Sequence, residues 1–426
     1  MSIAQLYQKF KSSTTITTDT RKLEKGCMYF ALKGDNFNGN TFVAQAFKGG
    51  AKYCVVDDKN AVINSNCILV EEVLTTLQQL ATHHREVINI PIIALTGSNG
   101  KTTTKELIQA VLASTYKVKA TKGNLNNHIG VPLTLLSLTE DLDFGIVEMG
   151  ANHLKEIAFL SKIAQPDYGL ITNFGKAHLE GFGGIEGVIK GKSELYNYII
   201  AHKKTAFINT DDAKQVKQIR GYESVITFGS KADNDSVIAF KKANPFVSLT
   251  YNSIEINSQL IGNYNYNNIA VAITIGQHFK VKTKAIKKAI ESYKPNNNRS
   301  EIIEKGTLKV ILDAYNANPT SMLAALNNFK QLKAENKYLF LGDMFELGRE
   351  ADKEHQTITD VVASNFNDNI FLIGENFFKT DTKPSTAKFL TFEALKLHLK
   401  TLEIKNATLL IKGSRGMALE RILDVL

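Results

Sequence analysis

Between Ile92 and Glu106 the chain changes character in a way that few folds accommodate. Ile92-Ile93-Ala94-Leu95-Thr96 is an apolar run of the buried-strand kind, and Gly97-Ser98-Asn99-Gly100 is a glycine-bounded turn. Lys101-Thr102-Thr103-Thr104-Lys105-Glu106 then opens a helix whose apolar positions, Leu107, Ile108, Val111 and Leu112, recur at helical spacing. Strand, turn and helix in this order make a phosphate-binding loop. Glycines let the backbone approach phosphate oxygens, amide groups at a helix N-terminus supply positive potential, and Lys101 neutralises charge. The hydroxyl of Thr102 or Thr103 stands where a magnesium ion would use it. The general pattern has a glycine where this chain has Leu95, so the spacing here is the shorter Gly97-x-x-Gly100-Lys101-Thr102. An ordinary Gly/Asn turn would require neither the lysine nor the threonines behind it.

A length of 426 residues allows about two to four domains, each able to bury its own core. The net charge of +9 calls for anionic partners, yet the basic residues are scattered, with no long Lys/Arg block and no aromatic RNA-binding signature. Nucleotide-sized anions fit this better than nucleic acid. Cys27, Cys54 and Cys67 lack metal-ligand spacing and are odd in number, which argues against a disulfide framework or a zinc site. Met1–Gln5 shows no basic region leading into an apolar one, and no apolar run reaches membrane-spanning length. A reducing cytoplasm, without membrane insertion, is the expected compartment.

The chain reads as α/β throughout. Ahead of the phosphate loop, the strand-like runs Cys27–Leu32 and Tyr53–Val56 alternate with helical stretches at Phe42–Lys48 and Leu74–Val87. Thr18-Asp19-Thr20-Arg21 and the stretch Lys33–Asn40 are polar clusters that, taken alone, are loops. After it, Gly123-Asn124-Leu125-Asn126-Asn127 packs amides behind a glycine, and Phe144–Ala151 is a short apolar strand with the single carboxylate Glu148 at its C-terminal end. Ligands bind at such strand ends in open α/β sheets, so Glu148 is a candidate magnesium ligand; a cap or a surface residue is the equal alternative. His178 follows the strand Tyr168–Asn173, where a histidine is usually a hydrogen-bonded surface residue but can complete a metal sphere. The helix Ile185–Ile200 carries Lys190, Lys192 and Glu194, spacing that normally marks a solvated face. Further strand signals run to Ile256, and a polar, Pro-led stretch at Tyr293–Arg299 suits a linker. Beyond it, four strands at Leu308–Leu312, Tyr338–Leu341, Ile370–Ile373 and Thr408–Ile411 alternate with helices as a doubly wound domain. The polar residues at all four strand ends are expected to face one crevice toward the central domain.

Taken together and in order, the loop Thr96–Thr103, Glu148-Met149-Gly150-Ala151, His178, Asn265, Arg299 and Asp313 resemble the ATP-dependent Mur ligases of peptidoglycan synthesis. Gly123–Asn127, Asp313–Pro319, Leu341–Gly348 and Lys412-Gly413-Ser414-Arg415 look like the D-alanyl-D-alanine-adding type of that family. The resemblance spans nearly the whole chain. It implies three domains: a small N-terminal α/β domain over 1–90 for the UDP substrate, a central P-loop ATPase-like domain with a mostly parallel sheet over 91–294, and a C-terminal Rossmann-like ligase domain over 295–426.

The resemblance also implies roles. Gly97, Ser98, Asn99, Gly100, Lys101, Thr102 and Thr103 would hold ATP phosphates, Asn265 the adenine, Arg299 the γ-phosphate and Asp313 the nucleotide from the third domain. Two magnesium ions would be held by Thr102, Glu148, His178 and Lys192, the last as a carbamylated lysine. Catalysis would rest on Lys101, Lys192, His178 and Arg299. Thr20, Arg21 and Lys33 would meet the uridine end of UDP-N-acetylmuramoyl-tripeptide, with Asn126, Asn316 and Asn318 also on substrate and Ser414 and Arg415 on D-alanyl-D-alanine. The sequence departs from the family pattern at Tyr264 in place of His, at Asn38-Gly39-Asn40 in place of Asp-Gly-His, and at Glu301 in place of Gln. The expected reaction is amide ligation through an acyl phosphate by a monomer. The rivals are another Mur ligase or a folylpolyglutamate synthase-like ligase with a different amine acceptor, a nucleotide-gated binding protein, and a kinase.

Overall fold

The computed structural model describes residues 1–426. Its sheets divide the chain in three. The first is parallel, with strands in the order Ile16–Thr17, Met28–Phe30, Tyr53–Val56 and Cys67–Leu69. The Lys33–Asn40 stretch, read from sequence as a loop, forms the small hairpin Lys33–Gly34/Phe37–Asn38 and runs into a 3-10 turn. The long helix Val73–Ile88 closes this unit. It ends at Asn89 in the left-handed conformation (φ 45°), which asparagine tolerates better than most residues.

The second sheet has nine strands. Ile92–Thr96 lies between Tyr168–Ile171 on one side and Phe144–Glu148 on the other, so the chain visits one flank and then crosses to the opposite one. That reversal makes a topological switch point, and the crevice beyond its strand ends is where open α/β sheets bind ligands. Every residue of Ile92–Thr96 and of Phe144–Glu148 is buried, as parallel strands covered by helices on both faces must be. Ser236–Ala243, Phe246–Tyr251 and Ile254–Ile261 extend the sheet, the last two antiparallel. The three-residue edge strand Val118–Ala120 has too short an apolar signal to be read from sequence.

The third sheet has six strands rather than the expected four. The additions are Glu301–Lys305, an antiparallel hairpin partner of Leu308–Asp313, and the edge strand Thr386–Phe389. Both carry charged or small residues and are only partly buried, so neither shows a core-strand pattern. One buried apolar cluster runs from Leu6 and Tyr7 through Leu135 and Ile157 to Leu326 and Phe329, packing helices from all three sheets together. No helix is long and apolar enough to cross a membrane.

Candidate active site

The phosphate loop is shaped by two glycines and by the end of the neighbouring strand. At Gly97 φ is +141° and a Cβ would stand 2.0 Å from Thr172 Oγ1; at Gly100 φ is +79° and a Cβ would stand 2.6 Å from Asn268 Oδ1. No side chain fits either position without displacing its neighbour. The Ser98 amide donates to Asn173 O (3.0 Å) and the Asn99 amide to Asn173 Oδ1 (3.1 Å). Thr172 Oγ1 and Asn173 Nδ2 donate back to Asn99 O at 2.6 and 2.9 Å. Lys101 begins the helix Lys101–Ala113, and its Nζ lies over the loop, donating to Gly97 O at 2.7 Å and Ser98 O at 3.3 Å. Enclosure by protein lowers the Lys101 pKa, an effect that the Glu148 charge opposes and Arg299 reinforces.

Glu148, 1% exposed, ends its strand beside this loop. Its carboxylate accepts from Thr102 Oγ1 at 3.0 Å and Asn126 Nδ2 at 2.8 Å, with Lys105 Nζ at 3.9 Å. Facing it from the third sheet are Arg299, stacked 3.6 Å over the Tyr315 ring, and Asp313, which accepts from Lys412 Nζ (2.5 Å) and the Ser300 amide (3.1 Å). Asn318 closes the gap by exchanging amide hydrogen bonds with Asn99, its Nδ2 donating to Asn99 Oδ1 at 2.7 Å. The result is one cavity of about 540 Å³ between the second and third sheets, within the range of small-ligand sites. Of the residues singled out from sequence, it brings together Ser98–Thr103, Asn126, Glu148, His178, Asn265, Arg299, Asp313, Asn316 and Asn318.

The match to known proteins follows this geometry. The Mur ligase family's catalytic domain matches residues 13–92, its middle domain 95–276, and its glutamate ligase domain 298–415. A protein of Bacillus subtilis named UDP-N-acetylmuramoyl-tripeptide–D-alanyl-D-alanine ligase is 35% identical over 422 residues, covering 96% of this chain and 92% of its own. The chain belongs to the Mur ligase family, in its MurF type. Two MurF crystal structures superpose on nearly the whole molecule. That from Acinetobacter baumannii has a TM-score of 0.87 at 29% identity, covering 99% of this chain and 98% of its own. That from Thermotoga maritima, in complex with ADP, has 0.84 at 25% identity, covering 98% and 97%.

Several expected residues of this Mur ligase lie elsewhere. Thr20, Arg21 and Lys33 are on the first unit, outside the cavity: Arg21 forks onto Asp19 with two bonds of 2.9 Å, and Lys33 pairs with Asp57 at 2.9 Å. Gly97 does not line the cavity, and its carbonyl accepts from Lys101 Nζ. Ser414 is buried, its hydroxyl accepting from the Phe345 amide at 2.9 Å, while Arg415 is exposed, pairs with Glu420 at 3.1 Å and lies 5.8 Å over the Tyr315 ring at the cavity wall. Two of the four C-terminal strand ends do not reach the crevice. Asp343, at the end of Asn336–Gly342, instead accepts from the Asn376 and Phe377 amides at 2.9 Å each, locking those two loops to each other. Lys192 is not on a solvated face. It is fully buried, donates to Ala151 O at 2.9 Å and lies 5.0 Å over the Phe182 ring; burial, with Lys101 adding to it, pushes its pKa well down.

The residues present fit one magnesium ion. A buried carboxylate beside a threonine hydroxyl at a phosphate loop is the donor set that this ion takes when phosphate oxygens and water complete its sphere. They do not fit a second as they stand, because His178 Nδ1 is paired with Glu346 from the third sheet and Lys192 presents a nitrogen to a carbonyl. Among the other residues lining the cavity, Asn268, Tyr264, Tyr315 and Lys412 had been given no role from sequence. Asn268 stands one turn from Asn265 at the start of the helix Asn265–His278 and donates to its Oδ1 at 2.8 Å. Lys412 is the register partner of Asp313 on adjacent parallel strands. Both signals were available, as two asparagines three residues apart on one helix and as opposite charges at two strand ends.

Proposed function

We propose that this chain is an ATP-dependent ligase that joins D-alanyl-D-alanine to UDP-N-acetylmuramoyl-tripeptide, releasing ADP and phosphate. The observation that carries the reading is the single cavity whose one wall is a phosphate loop with Glu148 and whose other wall is the Asp313–Asn318 stretch with Lys412. The full-length similarity to proteins named for that reaction supports the choice of substrates. ATP lies along the loop, with Asn265 toward the adenine and Asp313 toward the nucleotide from the third domain. The uridine end lies on residues 1–90 around Thr20, Arg21 and Lys33, and the dipeptide is taken by residues 295–426, with Asn316, Asn318 and the exposed Arg415 in reach. Asn126 stands between Glu148 and the acceptor peptide.

A carboxylate is a poor electrophile, so the tripeptide carboxylate first attacks the γ-phosphorus. The bond to the β-phosphate oxygen breaks, and ADP leaves an acyl phosphate. Lys101 and Arg299 neutralise the charge that spreads over the transferring group in the in-line displacement. Magnesium between Thr102 and Glu148 would supply further cationic stabilisation of the phosphates. The neutral α-amine of the dipeptide then attacks the acyl carbon, an amide forms and phosphate leaves. Such an amine titrates near ~8, so little assistance is needed to free its lone pair.

We further propose that Lys192 is carbamylated. Burial lowers its pKa and so favours the neutral amine, the form that adds to carbon dioxide, and the product carboxylate would be a metal-binding anion beside Ala151. One chain carries both cavity walls, which supports a monomer as the active unit, and the need for ATP is in keeping with a cytoplasmic enzyme. Mass spectrometry of the reaction with D-alanyl-D-alanine, and separately with single amino acids, tests the function. The expected product is the tripeptide nucleotide plus the dipeptide minus water. Addition of a single amino acid instead would assign another ligation step of the family.

A further inference from the structure

The segment joining the second and third sheets, 293–300, is stitched down rather than free. Tyr293 Oη donates to Glu106 Oε2 at 2.5 Å, and Asn297 Nδ2 donates to Glu106 Oε1 at 3.2 Å. Glu106 is half-buried on the helix Lys101–Ala113, whose first turn carries the phosphate-loop lysine. At the other end of the segment the Ser300 hydroxyl bonds Tyr264 Oη at 2.6 Å, and the Ser300 amide donates to Asp313. Between these anchors is Arg299, whose Nε is buried without a partner and whose guanidinium lies on Tyr315 at the cavity wall.

We propose that Glu106 is a positioning residue: by clasping Tyr293 and Asn297 it registers the linker against the phosphate-loop helix and so sets where Arg299 stands over the nucleotide. This rests on the reading that Arg299 meets the γ-phosphate. The reasoning is geometric. Asn298 O accepts from the Tyr315 amide at 3.1 Å and the Ser300 amide is held on Asp313, so Arg299 rides with the third sheet's unit, and the Glu106 clasp on Tyr293 and Asn297 is what ties the chain entering that unit to the phosphate-loop helix. A displacement of about 1 Å from the reacting geometry is enough to cost on the order of 100-fold in rate. The clasp uses a carboxylate because one group must accept from two donors at once, a phenol and an amide arriving from different points of the linker. Glu106 touches neither the cavity nor, in the proposed pose, the nucleotide.

The test is a double-mutant cycle on the full chain with Glu106→Ala and Arg299→Ala, joined by Tyr293→Phe and Glu106→Gln. Two quantities are read: phosphate release at saturating substrates, and the affinity for a non-hydrolysable ATP analogue relative to ADP. Glu106→Ala is expected to lower kcat by about tenfold or more and to erase the preference for the analogue, leaving ADP affinity within about twofold. In the Arg299→Ala background it is expected to add nothing further. Tyr293→Phe, which removes one hydroxyl and spares the fold, should show a smaller effect of the same kind, and Glu106→Gln should recover part of the loss. Multiplying effects in the double variant, an equal loss of ADP and analogue affinity, or an unchanged kcat would each overturn the proposal. The affinity arm needs no ligation, so it remains readable if the wild-type chain releases no phosphate with these substrates.

Discussion

Gly97 and Lys192 show how much chemistry one side chain decides here. A methyl group at Gly97 would stand 2.0 Å from Thr172 Oγ1 at a backbone angle that L-residues avoid, so Gly97→Ala must move the loop that holds its neighbours' amides. Strain of this kind costs about 1–3 kcal/mol, and we expect ADP affinity to fall by at least tenfold in a titration, with the fold retained by circular dichroism. An unchanged affinity would mean that the loop amides do not bind phosphate. For Lys192→Ala we expect near-complete loss of turnover with partial recovery in millimolar formate or acetate, since a short carboxylate can replace a carbamate. A near-normal rate, or no recovery, would remove the carbamate from the mechanism. Lys192 was illegible in sequence for a physical reason. Lys190, Lys192 and Glu194 are spaced like a solvated stripe, and only the packing of Phe182 and Ala151 over Lys192 separates it from its exposed neighbour Lys190.

The element that joins the first two units is the helix Val73–Ile88, and two of its adjacent residues do the joining. His84 accepts from Tyr7 Oη at its Nδ1 (3.1 Å) and donates from Nε2 to Leu138 O (2.9 Å), bridging the N-terminal helix and the central unit. Burial lowers its pKa below the ordinary 6.5. The unfolded chain therefore takes up a proton at His84 before the folded one does, and the stability this residue contributes is present above pH 6.5 and lost as pH falls below it. Thermal unfolding between pH 7.5 and 5.5 should show a falling midpoint that flattens in His84→Gln; an equal slope in both would exclude His84 as the source. Arg85, also buried, donates to Ala164 O (3.1 Å), Gln165 O (3.2 Å) and Asp167 Oδ2 (2.8 Å). Removing one partner of a buried, hydrogen-bonded pair costs about 3 kcal/mol, so Arg85→Ala should lower the denaturation midpoint by a corresponding amount. At this scale the sequence was readable wherever an element carries its own period: the strand Ile92–Thr96 and the helix Lys101–Ala113 follow from local pattern alone. Glu301–Lys305 and Thr386–Phe389 were not, because each is a strand only by virtue of the partner beside it.

For the whole molecule, the contacts that matter are those between the strand-end loops of the second sheet and the unit of the third sheet, and none has a local signature. Asn99 meets Asn318, Lys176 meets Glu354 at 2.5 Å, the Lys176 amide donates to Thr320 Oγ1 at 2.9 Å, and His178 faces Glu346. These pairs lie far apart in sequence, so their meeting depends on how the two sheets dock. The family resemblance gave Asn99, Asn318 and His178 roles at the site, but it could not say which residues would bind each other and which would be left for ligand. A cavity divided between two walls would, on their closing over substrates, keep water from an acyl phosphate until the amine arrives.

The most direct test of this account is phosphate release from ATP and magnesium in the presence of UDP-N-acetylmuramoyl-tripeptide, with and without D-alanyl-D-alanine. The account predicts sustained release only when both substrates are present, in step with formation of the pentapeptide nucleotide. Sustained release that does not need the dipeptide would contradict it and leave an ATPase, and accumulation of a stable phosphorylated product with the dipeptide present would make the chain a kinase.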